Sequence, residues 1–390
     1  MIPELRQSFN AGFTEAKYRA LLGEIDAACG MHIEFRISET PCFFTKSLLD
    51  RLAADGSELI AQLMSNSDYL RAADAAVPAE FRVPDEYPRP MFIQADFGLD
   101  EQLQPKLVEI QGFPSVYAYQ LLLSETYRRV YGLGPSVQWL LSGLDEEGYR
   151  QILRRAILGG HASENVILLE IHPHKQKTCC DFVLTERICG IQTVCVTEVQ
   201  SRGNRLYYAR DGKLVPIERI YNRVIVDELV RTRVQPGFDF RAPWDVEWAG
   251  HPNWYFKISK FSLPYLNHPC VPRTRFLHQI EQWPDDLENY VLKPLYSFAG
   301  LGVRVGPTKA DLAAVADPTQ AILQERVNFE PMIQTPAGPT KAEIRIMYVW
   351  LDQLQPVAAL VRMGRGAMMG VDHNKNMQWV GASAALWVEH

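Results

Sequence analysis

The sequence predicts an α/β (α+β) fold in which an N-terminal helical layer precedes a strand-rich body, and three observations carry that prediction. Apolar residues recur at helical spacing through residues 1–90, strand–helix–strand units begin at Asn165, and Ala321 to Trp387 is rich in strand-forming runs. Taken in order, Tyr18, Leu21, Leu22, Ile25 and Cys29 share one helical stripe, with Glu15, Lys17, Arg19 and Glu24 on other faces. A second helix is expected from about Thr45 through Leu48, Leu49, Leu52, Leu59, Ile60 and Leu63, with Gly56 as its break. Pro78, Pro84, Pro88 and Pro90 then punctuate a loop-rich connection. No chemistry-bearing pattern appears in residues 1–90.

Met91 to Phe97 reads as a strand, and Lys106 to Gln111 as its hairpin partner across a polar turn from Gly98 to Pro105. A helix carrying Tyr119, Leu122, Leu123, Thr126 and Val130 follows. Val166 to Ile171 is a buried strand, Cys180 to Cys189 a helix ended by Gly190, and Thr193 to Val196 the next strand, a βαβ pattern that implies a parallel sheet. Arg205 to Tyr208 and Leu214 to Ile217 flank the hairpin turn Asp211-Gly212, and Arg219 to Ile225 is a further strand. The Pro- and Trp-rich stretch from about Pro236 to Pro252 reads as an interdomain connection, and Phe276 to Trp283 as a helical piece.

With 390 residues the chain can bury a large core in two or three domains. Its 47% apolar and 11% aromatic content excludes disorder, and a net charge of −6 without a basic block argues against a nucleic-acid partner. Seven scattered cysteines, an odd number, fit reduced thiols in the cytoplasm better than a disulfide framework. No basic-then-apolar leader and no apolar run of membrane-spanning length is visible, so a soluble cytoplasmic protein with no membrane partner is expected.

The richest stretch runs from Tyr290 to Gly306: a strand ending in Lys293-Pro294, a small-residue loop with Gly300 and Gly302, and a second strand through Val303 and Val305. Glycines at a hairpin tip let backbone N–H groups approach a polyanion, and a lysine before the tip adds a point charge. No Gly-Lys-Ser/Thr follows, and the glycine spacing is one residue too long for a dinucleotide fingerprint. A phosphate loop and an ordinary hairpin with turn glycines both satisfy the pattern. Glu109 and Gln111 lie two apart on one strand and so share a face. Such oxygen donors suit Mg²⁺ on ATP phosphates, and equally the wetted face of an amphipathic strand. Glu343 and Arg345 also share a face, as metal ligand and phosphate clamp or as a surface ion pair. Asp372-His373-Asn374-Lys375-Asn376 is not a calcium loop, because Met377 and Ser383 stand where glycine and glutamate are required. It is left as a flexible cover over a site or a solvated surface loop. His172, His174, Cys179 and Cys180 match no zinc spacing, although the loop after the first βαβ strand is a natural ligand position.

Together these segments resemble the ATP-grasp ligases. Pro105 to Ser115 looks like their "E-x-N" metal strand, and Gln94-Ala-Asp96-Phe97 like the lead-in of glutathionylspermidine synthetases. This metal strand precedes the glycine loop, an order resembling the circularly permuted branch of glutathione synthetase and glutathionylspermidine synthetase-like ligases. Glu218 to Asp227 is similar to a strand at the edge of the substrate domain. Lys257 to Leu266 is similar to the segment of the first ATP-binding lysine, here Lys260, with Lys293 as the second. Ile322 to Val327 resembles the adenine hinge, its Glu325 and Val327 facing ribose and base. Glu343 and Arg345 resemble an "E/D-x-R" strand, and Arg362 a later phosphate-side arginine. The sequence departs from the pattern at Gln111, where asparagine is usual, at Ser297, where glutathione synthetase has a glutamate, and at Ala299, where glycine is common.

The resemblance implies a permuted ATP-grasp core in residues 91–150 and 241–390, with a substrate domain in 151–240. It implies ATP and Mg²⁺ as cofactors, with Lys260, Lys293, Ser297, Gly300 and Gly302 around the phosphates. Glu109, Gln111 and Glu343 would hold the metal, and Arg345 and Arg362 would stabilise developing charge. The implied reaction is ADP-forming ligation of a small carboxylate and an amine through an acyl phosphate; a small-molecule kinase or an inactive nucleotide-binding protein are the alternatives.

Overall fold

The computed structural model describes residues 2–297 and 300–389, with the backbone alone for 226 and 227. Phe298 and Ala299 of the glycine loop lie outside the described residues. Helices α1 (Pro3–Gly12) and α2 (Glu15–Cys29) open the chain. Thr14 accepts from Lys17 N at 3.3 Å to cap α2, and Gly30, at φ 70°, ends it in the left-handed region. Strand β1 (Cys42–Thr45) leads into α3 (Lys46–Ser65) and α4 (Ser67–Ala76), and the hairpin β2 (Phe92–Leu99) and β3 (Pro105–Gln111) precedes α5 (Tyr117–Val130) and α6 (Glu146–Leu158). Next come β4 (Val166–Glu170), α7 (Cys179–Cys189), β5 (Gln192–Cys195), β6 (Gln200–Arg202), β7 (Arg205–Arg210), β8 (Lys213–Ile217), β9 (Arg219–Asn222), α8 (Val226–Thr232) and β10 (Glu247–Ala249). Short helix α9 (Trp254–Lys257) and β11 (Thr274–Phe276) lead to β12 (Tyr290–Pro294) and β13 (Arg304–Val305) on either side of the glycine loop. The chain closes with α10 (Lys309–Ala313), β14 (Ala321–Glu325), β15 (Ile333–Thr335), β16 (Gly338–Trp350), β17 (Leu354–Gly364), α11 (Val371–Asn374) and β18 (Gly381–Val388).

The described strands form four sheets. The largest, of seven strands, runs β1-β18-β17-β16-β2-β3 with β15 beside β16, so it is assembled from the two ends of the chain. All its pairs are antiparallel except β1 on β18. Alternate residues along its strands serve two cores. Ile93, Ala95, Phe97, Ile344, Ile346 and Tyr348 pack with α3 and α4, while Phe92, Met347, Ala358, Leu360 and Ala384 pack with α2 and α5. Strands β10-β9-β4-β5 form the parallel sheet that the βαβ pattern implied, and β6-β7-β8 a small meander. Asp211 and Gly212, at φ 49° and 73°, both adopt the left-handed conformation that the tight β7–β8 turn requires. The fourth sheet, β11-β14-β12-β13, carries the glycine loop.

Four expectations are corrected. Gly56 does not break α3, which runs unbroken past it. A Cβ there would sit 2.1 Å from Tyr348 Oη, so this glycine lets the helix lie against the sheet. Residues 1–90 are not only a helical layer, since they supply β1, whose pairing with a strand at the far end of the chain has no local signal. The stretch Pro236 to Pro252 is more than a connection, because β10 within it extends the parallel sheet. Phe276 to Trp283 is not a helix: Thr274–Phe276 enters the β14 ladder, one turn of 3₁₀-helix spans Leu277–Gln279, and Pro284 disfavours continuation.

Candidate functional site

A cleft of about 360 Å³ opens between the α5 face of the large sheet and the sheet that carries the glycine loop. Its polar floor is built by register. Glu109 of β3 stands opposite Asp96 of β2, Asp96 opposite Arg345 of β16, and Glu343 opposite Arg362 of β17. Period-two alternation therefore places all five side chains on one face. From the facing sheet, Lys293 and Gln324 project into the same space, and Lys260 arrives on the 3₁₀ segment Lys260–Tyr265.

The charges are tightly paired. Asp96 receives Arg345 Nε at 2.6 Å and Nη2 at 2.7 Å, a bidentate pair, and also bonds Arg362, which in turn holds Glu343. Burial opposes ionisation of Asp96, but the two guanidiniums outweigh it and hold the carboxyl at about 2. Glu343 is pushed the other way, upward, because burial and the neighbouring Asp96 and Glu109 carboxylates outweigh Arg362. Lys260 Nζ donates to Ser297 O at 2.7 Å and lies 3.6 Å from Glu109, which is also 3.8 Å from Arg345. Lys293 Nζ donates to Val108 O at 2.9 Å and to Gln324 Oε1 at 2.5 Å, joining the two sheets. Burial depresses its ammonium to about 8 despite nearby Glu109. Four cations thus face three carboxylates, a balance that favours an anionic guest.

Eleven of the twelve residues that the sequence singled out line this cleft: Glu109, Gln111, Lys260, Lys293, Ser297, Gly300, Glu325, Val327, Glu343, Arg345 and Arg362. Gly302 is outside that lining. At φ 74° it turns the chain, and a Cβ there would meet Pro294 Cγ at 2.9 Å. Glu325 is turned toward Arg273, with which it pairs at 2.7 Å. Gln111 Nε2 donates to Gln94 Oε1 at 2.7 Å, and turning the amide over would set its oxygen 3.0 Å from both terminal nitrogens of Arg345, so the extra methylene brings it within reach of a guanidinium. The segment of Asp372 covers one side of the cleft. Buried Asn374 accepts from Arg365 N and Gly366 N and donates to Met368 O, fixing the glycine- and methionine-rich turn, and Asp372 meets Lys177 across the opening at 2.6 Å. His172 lies 3.8 Å from Cys195 Sγ, and among the described residues no three His, Cys, Asp or Glu side chains form a metal-ready group.

Asp96 was the residue most available to a closer reading of the sequence: an acid in the run Phe92–Leu99, apolar apart from it and Gln94, must have a buried partner. Gln324 was legible in the same way on β14. Phe35, Val116 and Tyr119 also line the cleft, and nothing in the spacing of Phe35 announces it.

The residues suit a nucleotide and a hard cation. Among the described residues, neither buried Gln324 Nε2 nor buried Ser297 Oγ has a hydrogen-bond partner, which leaves a donor and a hydroxyl for a guest. Val108, Val291, Val303, Val305, Val327 and Phe329 add apolar lining to the cleft, the kind of surface a planar base takes. Glu109 and Glu343 are oxygen donors of the kind Mg²⁺ takes one or two at a time beside substrate phosphates. Gln111 joins them only by turning its amide away from Arg345.

No protein-family model and no curated protein matches the chain. Among solved structures, a glutathione synthetase-like effector from Globodera pallida, determined in its apo form, is similar over 97% of this chain and 99% of its own at a TM-score of 0.56 and 12% identity. No helix of the described chain is long and apolar enough to cross a membrane. At that identity the likeness speaks for architecture alone: the chain shares the mixed α/β fold of a glutathione synthetase-like protein.

Proposed function

We propose that the cleft binds ATP and joins a carboxylic acid to an amine with release of ADP and phosphate. The convergence of Lys260, Lys293, Arg345 and Arg362 on one cleft that also has apolar lining carries this reading. Lys260, Lys293, Ser297 and the backbone at Gly300 hold the phosphates, Gly302 shapes their loop, and Val327 and Glu325 face base and ribose. Glu109 and Glu343, with Gln111 when it turns, would hold Mg²⁺, which would neutralise phosphate charge. The strand order, with Glu109 far before the glycine loop, supports a circularly permuted ATP-grasp arrangement.

A substrate carboxylate oxygen takes the γ-phosphoryl group, giving an acyl phosphate and ADP. The amine nitrogen then bonds the acyl carbon, phosphate departs, and the nitrogen releases a proton. Arg362 and Arg345 would stabilise negative charge on the acyl oxygen, and no protein nucleophile is needed. ADP release that requires an acid and an amine together is the expected result. Release with one substrate alone would indicate a kinase, and nucleotide binding without turnover a binding protein. Glu109→Gln is expected to abolish Mg²⁺-dependent turnover while leaving the circular dichroism spectrum unchanged; full activity would remove Glu109 from the site.

A further inference from the structure

Beyond the charged cluster, the cleft changes character. Leu360 stands directly across the ladder from Arg345, and Ala382 directly across from Arg362. Cross-strand neighbours lie about 5 Å apart, so an apolar floor begins one side chain from the guanidiniums. Phe35 and Tyr119, edge to face at 5.3 Å between centroids, continue this apolar surface at the cleft. Lys177 and Asp372, which also line the cleft, are paired with each other.

Val116 adds an independent observation. It occupies the left-handed region at φ 55° and ψ 32°, a conformation that a β-branched side chain adopts only under strain. Asp181 caps the helix behind it, accepting from Ala118 N and Tyr119 N at 2.9 Å each, and is itself held by Arg223 at 2.9 Å. Two of the first N–H groups of α5 are therefore already taken. What the strained residue contributes to the cleft is an isopropyl group.

We infer that the acid substrate of this site is an amphiphilic one, a carboxylate carrying an aromatic or branched aliphatic group. Its head group would meet Arg345 and Arg362, and its apolar part would lie over Leu360 and Ala382 against Val116, Tyr119 and Phe35. This rests on the ligase reading for the role of the acid, but not for its binding. A second acidic or strongly polar group would lose its hydration against this apolar surface, where Lys177 is already paired with Asp372.

The experiment uses the full-length protein with ADP and Mg²⁺, and titrates propionate, 3-phenylpropionate and glutarate by calorimetry, with ADP affinity measured separately. Burial of the phenyl group is expected to make 3-phenylpropionate bind at least about tenfold tighter than propionate, and glutarate no tighter than propionate. Val116→Gly removes the apolar group and relieves the backbone, so it is expected to lose several-fold in 3-phenylpropionate affinity without a fall in Tm. Ala382→Leu, which fills the floor, is expected to lose about tenfold or more with ADP binding unchanged. Equal affinities, a preference for glutarate, or no binding of any acid beside normal ADP binding would each overturn the inference. Selective 3-phenylpropionate binding without ADP binding would support it and overturn the nucleotide reading instead.

Discussion

Lys293 holds its charge where burial opposes it most: 6% exposed, it is anchored to Val108 O and Gln324 and depressed to about 8. A bound polyanion would stabilise the protonated form, so nucleotide affinity is expected to weaken as pH rises through about 8, and binding near that pH to take up protons. Calorimetry in buffers of different ionisation enthalpy measures the uptake; the same heat in all of them would contradict the assignment. Lys293→Ala should weaken ATP binding by about 1–3 kcal/mol, the size of a lost hydrogen bond to a charged group. Glu170, at the end of β4 in the parallel sheet, shows the opposite sign for a carboxyl. Burial pushes it up to about 8, against the pull of Arg223 and its own bond from Ile171 N. Between the ordinary glutamate range and about 8 the folded chain binds more protons than the unfolded one, so this group's contribution to stability is lost as pH rises through that window. Glu170→Gln should flatten the fall in Tm between pH 5 and 8, a window set by that shift; an unchanged profile would assign the dependence elsewhere.

Elements differ in how much of them a sequence can show. The pairs Glu109/Gln111 and Glu343/Arg345 were legible because side chains two apart on a strand share a face, and the β7–β8 turn because its two residues admit few backbone conformations. The break assigned to Gly56 failed for a reason that spacing cannot reveal. A glycine in a helix signals either an interruption or a close approach, and only the opposing surface, here Tyr348 donating to Ala53 O at 2.9 Å, decides which. Gly56→Ala improves intrinsic helix propensity, yet it must displace the Tyr348 ring. A net destabilisation of about 1–3 kcal/mol in urea denaturation is expected, as for an overpacked core. Stabilisation would mean that the ring moves freely. The Phe276 to Trp283 segment was misread because its first residue belongs to a ladder almost fifty residues away in sequence; the pairing of Phe276 with Ile322 has no local signal.

At the scale of the molecule, the least legible feature is that the large sheet draws its edges from distant parts of the chain. β1 pairs with β18 in parallel, Cys42 opposite Ala385 and Thr45 opposite Val388, and no periodicity records a contact of that sequence separation. The pairing has two consequences. It brings the segment of Phe35 to the apolar end of the cleft, and it covers what would otherwise be a bare apolar sheet edge. Residues 1–90 are therefore expected to unfold with the sheet, not before it. Phe44 tests this, being fully buried between β18 and the core against α3. Phe44→Ala should lower stability by about 3–5 kcal/mol, a large part of what holds a typical domain together. The loss should appear as one shifted cooperative transition, followed by circular dichroism and by tryptophan fluorescence together. A separate early transition, with the remaining sheet melting at its original midpoint, would show that the first strand is an appendage and that Phe35 reaches the cleft only incidentally.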